Sequence, residues 1–428
     1  MELPRGMKDF ENQEFSKIEF IRKNFLETSE IFGFKLMEPS AIEFVETLAI
    51  KGDIEQAKDH IFWWNSKKDK NDKSREIGLR FDFTIGISRY VTDQQSIKLP
   101  AKMSAFGNVW RYDNPQKGRY RGFNQWDIEI FGNLNSEHDA EIIEFISKFF
   151  NKIKLENVEI EISHRKIVES YITKIFESND PQIITDILRA VDKTTKKSKQ
   201  EIFSEFNEKG YSSEKLEKIF QFSQISGKTP KEIEDKFDTS KLDAWDEIKD
   251  IFESLHNRKV NNIKINFGIV RGLDYYSGIV FEVFDTTNRE IGALAGGGRY
   301  DTLPTLFGRP DLGATGVAGG VDRIRIALED QKFSFPKITE RISVLYVNEQ
   351  MKNHAINIAS SLRDKGIPVD IDLSSKSLKK QMEQSVNSKF AVIVAPKEFS
   401  NGMIVLRNML DRSEKQVKVE DLMSEFNL

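Results

Sequence analysis

Two strand-like runs separated by a short turn constrain this chain most. Residues 103–112 read as one strand and residues 123–131 as a second, with Asp113, Asn114, Pro115 and Gly118 marking the turn between them. A connection this short joins antiparallel neighbours, because a parallel pair needs a crossover of a dozen residues or more. The chain is therefore expected to build an antiparallel sheet around this hairpin. Strand side chains alternate between faces. Asn124, Trp126, Ile128 and Ile130 fall on one side of the second strand. Phe123, Gln125, Asp127, Glu129 and Phe131 fall on the other. A solvated face more often carries Lys and Thr than an acidic row flanked by aromatic rings. The polar side therefore reads as a ligand-facing surface. Arg111 stands at the base of the hairpin, and arginine's rigid fork of donors suits phosphate and carboxylate oxygens.

Composition removes several classes of chemistry. The chain has 428 residues, no cysteine and five histidines. Disulfides, thiolate metal sites and cysteine nucleophiles are excluded, and no metal site of the protein's own is expected. No apolar run approaches the ~20 residues that span a bilayer, so no membrane association is expected. The N-terminus carries no apolar signal region, which fits a cytoplasmic home. The net charge of −4 does not by itself point to nucleic acid. There is no P-loop, nucleophile elbow or His-Glu-x-x-His motif.

Four segments are expected. Residues 1–164 open with a helix whose Phe15, Ile18, Ile21 and Phe25 share a face, closed by Gly33. An extended piece at 34–39 and a helix at 42–50 follow. An exposed hairpin tip is expected at 67–73, and strands at 77–83, 103–112, 123–131 and 158–163. Residues 165–257 lose the strand pattern and read as a helical insertion, broken at Asp180-Pro181, Gly210 and Thr229-Pro230. Its lysine-rich run at 192–199 reads as a solvated face. Residues 258–331 return to strands at 262–269 and 278–284, then glycine-rich segments at 292–298 and 313–320, then a helix from about Val321. Residues 338–428 alternate strands and helices as a small α/β domain with a mixed sheet.

Beyond the hairpin, three clusters carry chemistry. Residues 271–278 (RGLDYYSG) place an arginine, a carboxylate and two phenols between glycines. Arg80, Asp82 and Thr84 would share one face of a strand, where a ligand amine finds acceptors. Arg323 falls in the first turn of a helix, the end that favours anions. Three separated arginines, several carboxylates and an antiparallel sheet suit chemistry on a nucleoside triphosphate performed by positioning and charge neutralisation.

These segments together resemble the class II aminoacyl-tRNA synthetases, and specifically the histidyl-tRNA synthetase family, over nearly the whole chain. Residues 3–10 (LPRGMKDF) look like the family's opening and 33–39 like its dimer-forming motif 1. Residues 111–125 look like motif 2, and 271–276 like the histidine-specific signature. Residues 295–301 and 316–323 look like the glycine-rich strand and motif 3. The resemblance implies an α+β catalytic domain on an antiparallel sheet flanked by helices, a helical insertion, and a C-terminal anticodon-binding domain. It implies activation of L-histidine by ATP with Mg2+, transfer to tRNA(His), and a homodimer. It assigns Arg111 to the α-phosphate and the histidine carboxylate, Asp113 and Phe123 to adenine, Arg271 to the α-phosphate during attack, and Arg323 to the γ-phosphate. Arg111 and Arg271 would be the catalytic pair. Asp82, Thr84 and Gln125 would take the α-amino group, and Phe83 would belong to the same histidine-binding set. Glu129, Tyr275 and Tyr276 would read the imidazole. Asp82 and Asp113 stand where many bacterial members carry Glu, and Gly122 where a larger polar residue is common. The two shorter acids suggest the archaeal and eukaryotic-like branch.

Two alternatives remain open at this level. One is a non-catalytic paralogue that regulates ATP phosphoribosyltransferase, which typically lacks the C-terminal domain and has a degraded signature. The other is a class II synthetase for a different amino acid.

Overall fold

The computed structural model describes residues 2–50, 52, 54–68, 74–114, 120–194, 197–270, 276–336 and 341–426. The chain divides into two compact units, Met1–Ser334 and Phe335–Leu428.

The first unit is built on a nine-stranded sheet. The hairpin lies toward one edge of it, second and third in the strand order, as the strands Ala101–Trp110 and Gly122–Gly132, antiparallel over ten paired positions. The second hairpin strand then pairs with Gly313–Gly320, followed by Ala295–Arg299, Ile279–Asp285 and Val158–His164, all antiparallel. Parallel pairing occurs between Lys35–Leu36 and Ala101–Trp110, and between Val158–His164 and Ile263–Asn266.

Both faces of the strand Gly122–Gly132 are buried. On one, Trp126, Ile128 and Ile130 are fully enclosed. Trp126 meets Phe25 of the helix Asn12–Ile31 at 5.6 Å between ring centres and Phe149 of the helix Ser136–Lys152 at 5.3 Å. Aromatic pairs at these spacings add to area burial. On the other face Gln125, Asp127 and Glu129 are equally enclosed.

The two glycine-rich segments are strands, which their composition disguised. Gly316 pairs with Glu129, and a Cβ there would fall 1.5 Å from the Glu129 carboxylate. Gly319 pairs with Trp126, and its Cβ would fall 2.4 Å from the indole. One glycine makes room for a large side chain on each face of the sheet.

Two local expectations are corrected. The helix expected at 42–50 is a strand, Ile42–Phe44, and a single helical turn, Val45–Leu48. Ile42, Val45 and Leu48 have helical spacing, but Ile42 and Phe44 pair with Leu79 and Ile77 in a three-stranded antiparallel sheet. The strand expected at 77–83 ends at Leu79. Asp82 instead accepts the Ile85 amide at 3.2 Å, and a helix runs over Thr84–Asp93. Asp three residues before a helical amide is a start signal, so Arg80, Asp82 and Thr84 do not share a strand face. The expected hairpin tip at 67–73 falls largely outside the described residues.

The stretch after His164 is helical over Arg165–Phe176, Pro181–Lys193, Lys199–Glu208, Ser213–Ser223, Pro230–Glu234 and Trp245–Asn257. Asp180 and Thr229 cap helices that begin with proline, the favoured arrangement at a first turn. One short strand, Ser226–Gly227, leaves the helices and pairs with Asn266 and Ile265.

The second unit carries a five-stranded mixed sheet. Val369–Ile371, Ile342–Tyr346 and Phe390–Val394 run parallel, while Met403–Asn408 and Glu414–Lys418 are antiparallel. The helix Glu349–Asp364 buries Ala355, Ile358, Ala359 and Leu362, the face expected from their spacing.

Candidate functional site

A chain of hydrogen bonds runs along the polar face of the hairpin. Arg111 donates to Phe81 O and to Gln125 Oε1, both at 2.9 Å. Gln125 donates from Nε2 to Asp127 Oδ1 at 2.8 Å. Thr84 Oγ1 donates to Glu129 Oε1 at 2.7 Å and lies 3.4 Å from Asp127 Oδ2. Tyr300 donates to the other Glu129 oxygen. One strand, Gly122–Gly132, the segments that follow Ala101–Trp110 and Ala295–Arg299, and the start of the helix Thr84–Asp93 thus meet in one network.

The electrostatics of this network are unusual. Asp127 is fully buried, and that burial pushes its carboxyl up to about 7. The hydrogen bond from Gln125 pulls the other way, Asp82 adds repulsion, and Arg111 opposes it. Glu129 is held well above the usual carboxylate range, first by burial and then by the charge of Asp127. Desolvation favours the neutral form of an acid, and a neighbouring acid adds to it. Such shifts concentrate at functional sites.

The network borders a cavity of about 990 Å³ across the sheet. Arg111, Phe123 and Gln125 line one end, and Gly319, Gly320 and Arg323 line another part of its wall. The Arg111 guanidinium lies 5.1 Å from the Phe123 ring centre. Arg323 donates to Ala293 O at 2.7 Å from the first turn of the helix Val321–Asp330. Asp322 beside it is buried, with Arg325 3.8 Å away, and among the described residues neither carboxylate oxygen has a hydrogen-bond partner. The floor includes Glu161, whose oxygens accept from Asn266 at 2.7 Å and Arg289 at 2.8 Å.

The structure therefore brings together Arg111, Thr84, Gln125 and Glu129, with Phe123 and Arg323 on the cavity they border. Asp82 is half-buried beside them, at the head of the Thr84 helix. Phe83 is fully buried in the core, and the Arg80 guanidinium sits 4.6 Å above its ring. Arg80 itself is spent on Pro39 O, Asn108 O at 3.0 Å and Glu38 at 3.1 Å. Asp113 lies 3.6 Å from the exposed His60 ring, and its carbonyl accepts from Arg121. Tyr276 packs edge-on to Tyr300, 6.4 Å between ring centres. Arg271 and Tyr275 lie outside the described residues.

Reading the residues without the fold missed Asp127 and Tyr300 as members of the site. Asp127 was visible through strand alternation but had no assigned partner. Tyr300 gives no local signal, since only the pairing of distant strands brings it to Glu129.

Comparison with known proteins agrees with this geometry. A family model described as histidyl-tRNA synthetase matches residues 6–324, and one described as an anticodon binding domain matches residues 341–427. A histidine–tRNA ligase of Pyrococcus furiosus is 31% identical over 99% of this chain and 98% of its own. One of Methanococcus vannielii is 31% identical over 98% of each. Among solved structures, a histidyl-tRNA synthetase from Nostoc sp. superposes with a TM-score of 0.79 over 99% of this chain and 98% of its own, at 21% identity. A Bacillus halodurans protein described as an ATP phosphoribosyltransferase regulatory subunit/histidyl-tRNA synthetase gives 0.74 over 92% of this chain and 98% of its own, also at 21% identity.

Proposed function

The chain belongs to the histidyl-tRNA synthetase family, and from that premise we propose that it joins L-histidine to tRNA(His) in two ATP-dependent steps. The observation that carries the reading is the buried network from Arg111 through Gln125, Asp127 and Thr84 to Glu129, at the edge of a cavity large enough for a nucleotide. Neutral imidazole offers one N–H donor and one acceptor nitrogen. Glu129 takes the donor and a phenol of Tyr275 or Tyr276 serves the other nitrogen. A site of this kind rejects apolar analogues by roughly 10⁴-fold, because its own groups would be left unpaired. Asp82, Thr84 and Gln125 hold the α-amino group.

Arg111 joins the two substrates. Its guanidinium borders Gln125 on one side and Phe123 on the other. It holds the histidine carboxylate against the α-phosphate while adenine stacks on Phe123 near Asp113. Arg323 takes the γ-phosphate and Arg271 the charge that grows on the α-phosphate. The carboxylate attacks in line and pyrophosphate leaves. The ribose hydroxyl of the terminal tRNA adenosine then attacks the activated carbonyl. Orientation and charge neutralisation supply the rate, with no side-chain nucleophile. Mg2+ accompanies ATP, held chiefly by phosphate oxygens and water, as suits that ion.

The second unit binds the anticodon of tRNA. The active form is a homodimer in the cytoplasm. Ile42, Phe44, Trp63 and Trp64 of the three-stranded sheet are exposed, which a partner subunit would cover. Among the described residues no helix is long and apolar enough to cross a membrane. Residues 1–164 and 258–331 form the catalytic core, 165–257 an insertion within it, and 338–428 the tRNA-reading domain.

The test is histidine-dependent exchange of pyrophosphate into ATP, followed by charging of purified tRNA(His). Exchange with histidine alone among the amino acids is expected. Absence of exchange points to the regulatory paralogue, and exchange with another amino acid overturns the specificity.

A further inference from the structure

Asp127 has no role in the reading above, yet it touches two of the three groups given to the α-amino end of the substrate, Gln125 and Thr84, and feels the charge of the third, Asp82. Its Oδ1 accepts from Gln125 at 2.8 Å, its Oδ2 lies 3.4 Å from Thr84 Oγ1, and the charge of Asp82 acts on it directly. It is fully buried, as is Glu129 two residues on. Asp127 and Glu129 thus share the Thr84 hydroxyl, with the charge of Asp82 acting on both and Arg111 the cation that acts on Asp127. Buried carboxylates are retained where a cation joins them, because an uncompensated buried charge costs several kcal/mol. The amide of Gln125 adds a second constraint. Its nitrogen points to Asp127, so its carbonyl faces Arg111. Reversing it would set carbonyl against carboxylate and amide nitrogen against guanidinium.

We propose that Asp127 is a substrate-binding residue whose carboxylate takes the α-ammonium group of the bound amino acid, while its hydrogen bond to Gln125 holds that carbonyl toward Arg111. The inference rests on the histidine-activating function proposed above. Glu129, deeper along the strand and bonded to Thr84 and Tyr300, is left to the imidazole. The two acids divide the two ends of one ligand.

The division is tested with a ligand that lacks only the α-amino group, 3-(imidazol-4-yl)propionate, used as a competitive inhibitor of exchange. Asp127→Asn keeps the shape and removes the charge. It is expected to raise the histidine KM roughly a hundredfold, the size expected when one partner of a buried charge pair is removed. The inhibition constant of the deaminated ligand and the KM for ATP should each stay within about threefold. Asp127→Glu, which restores the charge, should recover part of the histidine affinity. Equal weakening of both ligands, or an unchanged histidine KM, would overturn the assignment. If Asp127→Asn does not fold, the glutamate variant decides through the same ratio of the two ligands: a displaced carboxylate is expected to weaken histidine more than the deaminated ligand, and an unchanged ratio overturns the proposal. Wild-type protein without histidine-dependent exchange would instead sink the underlying function, and this inference with it.

Discussion

The two faces of the strand Gly122–Gly132 are equally hidden from solvent and do opposite things. Trp126, Ile128 and Ile130 bury apolar surface against helices, and each complete side chain contributes on the order of 2 kcal/mol or more to folding. Gln125, Asp127 and Glu129 bury polar surface, which costs free energy unless every group is paired. Here the pairing is incomplete in charge, and burial holds the carboxyls of Asp127 and Glu129 above their ordinary range. Burial alone therefore does not separate core from site; the state of the buried polar groups does.

The comparison breaks most visibly at Glu129. Glu129→Ala should reduce histidine-dependent exchange by about 10⁴-fold while the melting temperature holds or rises, since a strained buried acid is removed. A large loss of stability instead would make Glu129 a structural residue. Ile128→Ala, one position away and facing the helices, should do the reverse. About 4 kcal/mol of stability is expected to disappear in denaturant titration, with the histidine KM nearly unchanged.

The same contrast predicts a pH dependence. The folded Asp127 carboxyl titrates at about 7 against an ordinary 3.8, so the folded state holds the proton more tightly. Its contribution to stability is complete below pH 4 and is lost as pH rises through about 7. The empty wild-type protein should be less stable at pH 8 than at pH 5 by on the order of 3 kcal/mol from this group. Asp127→Asn should flatten that slope in melts across the range, and an unchanged slope would assign the effect elsewhere. The smallest expected effect is at Gly319, where a Cβ presses on Trp126. Gly319→Ala should cost about 2 kcal/mol by overpacking and leave the affinity for histidine intact.

Much of this contrast was legible in the chain. Period-two alternation placed the polar and apolar sets on opposite faces, and the hairpin strands begin or end within two residues of expectation. The helix face with Ile18, Ile21 and Phe25, and the second unit's alternating pattern, were equally readable because apolar spacing decides both. The glycine-rich strands were not. Glycine has no side chain to show a period, and its reason for being there is Glu129 or Trp126 on another strand. Ile42–Phe44 was misread because its apolar residues fit helical spacing, while distant pairing with the strand Glu76–Leu79 selected the sheet. The Thr84 helix was hidden behind the apolar run before it, although Asp82 carried the start signal.

The two-residue strand Ser226–Gly227 has a mechanical consequence. It stitches the middle of the long helical stretch into the sheet through Asn266 and Ile265, beside the stacked rings of Phe222 and Phe267. Lys264 and Asn266 of that same edge strand line the cavity. Ser223, Gln224 and Ser226 of the helical stretch line that cavity as well. The helical stretch and the sheet are therefore two walls of one chamber, and a ligand seated in it rests against both.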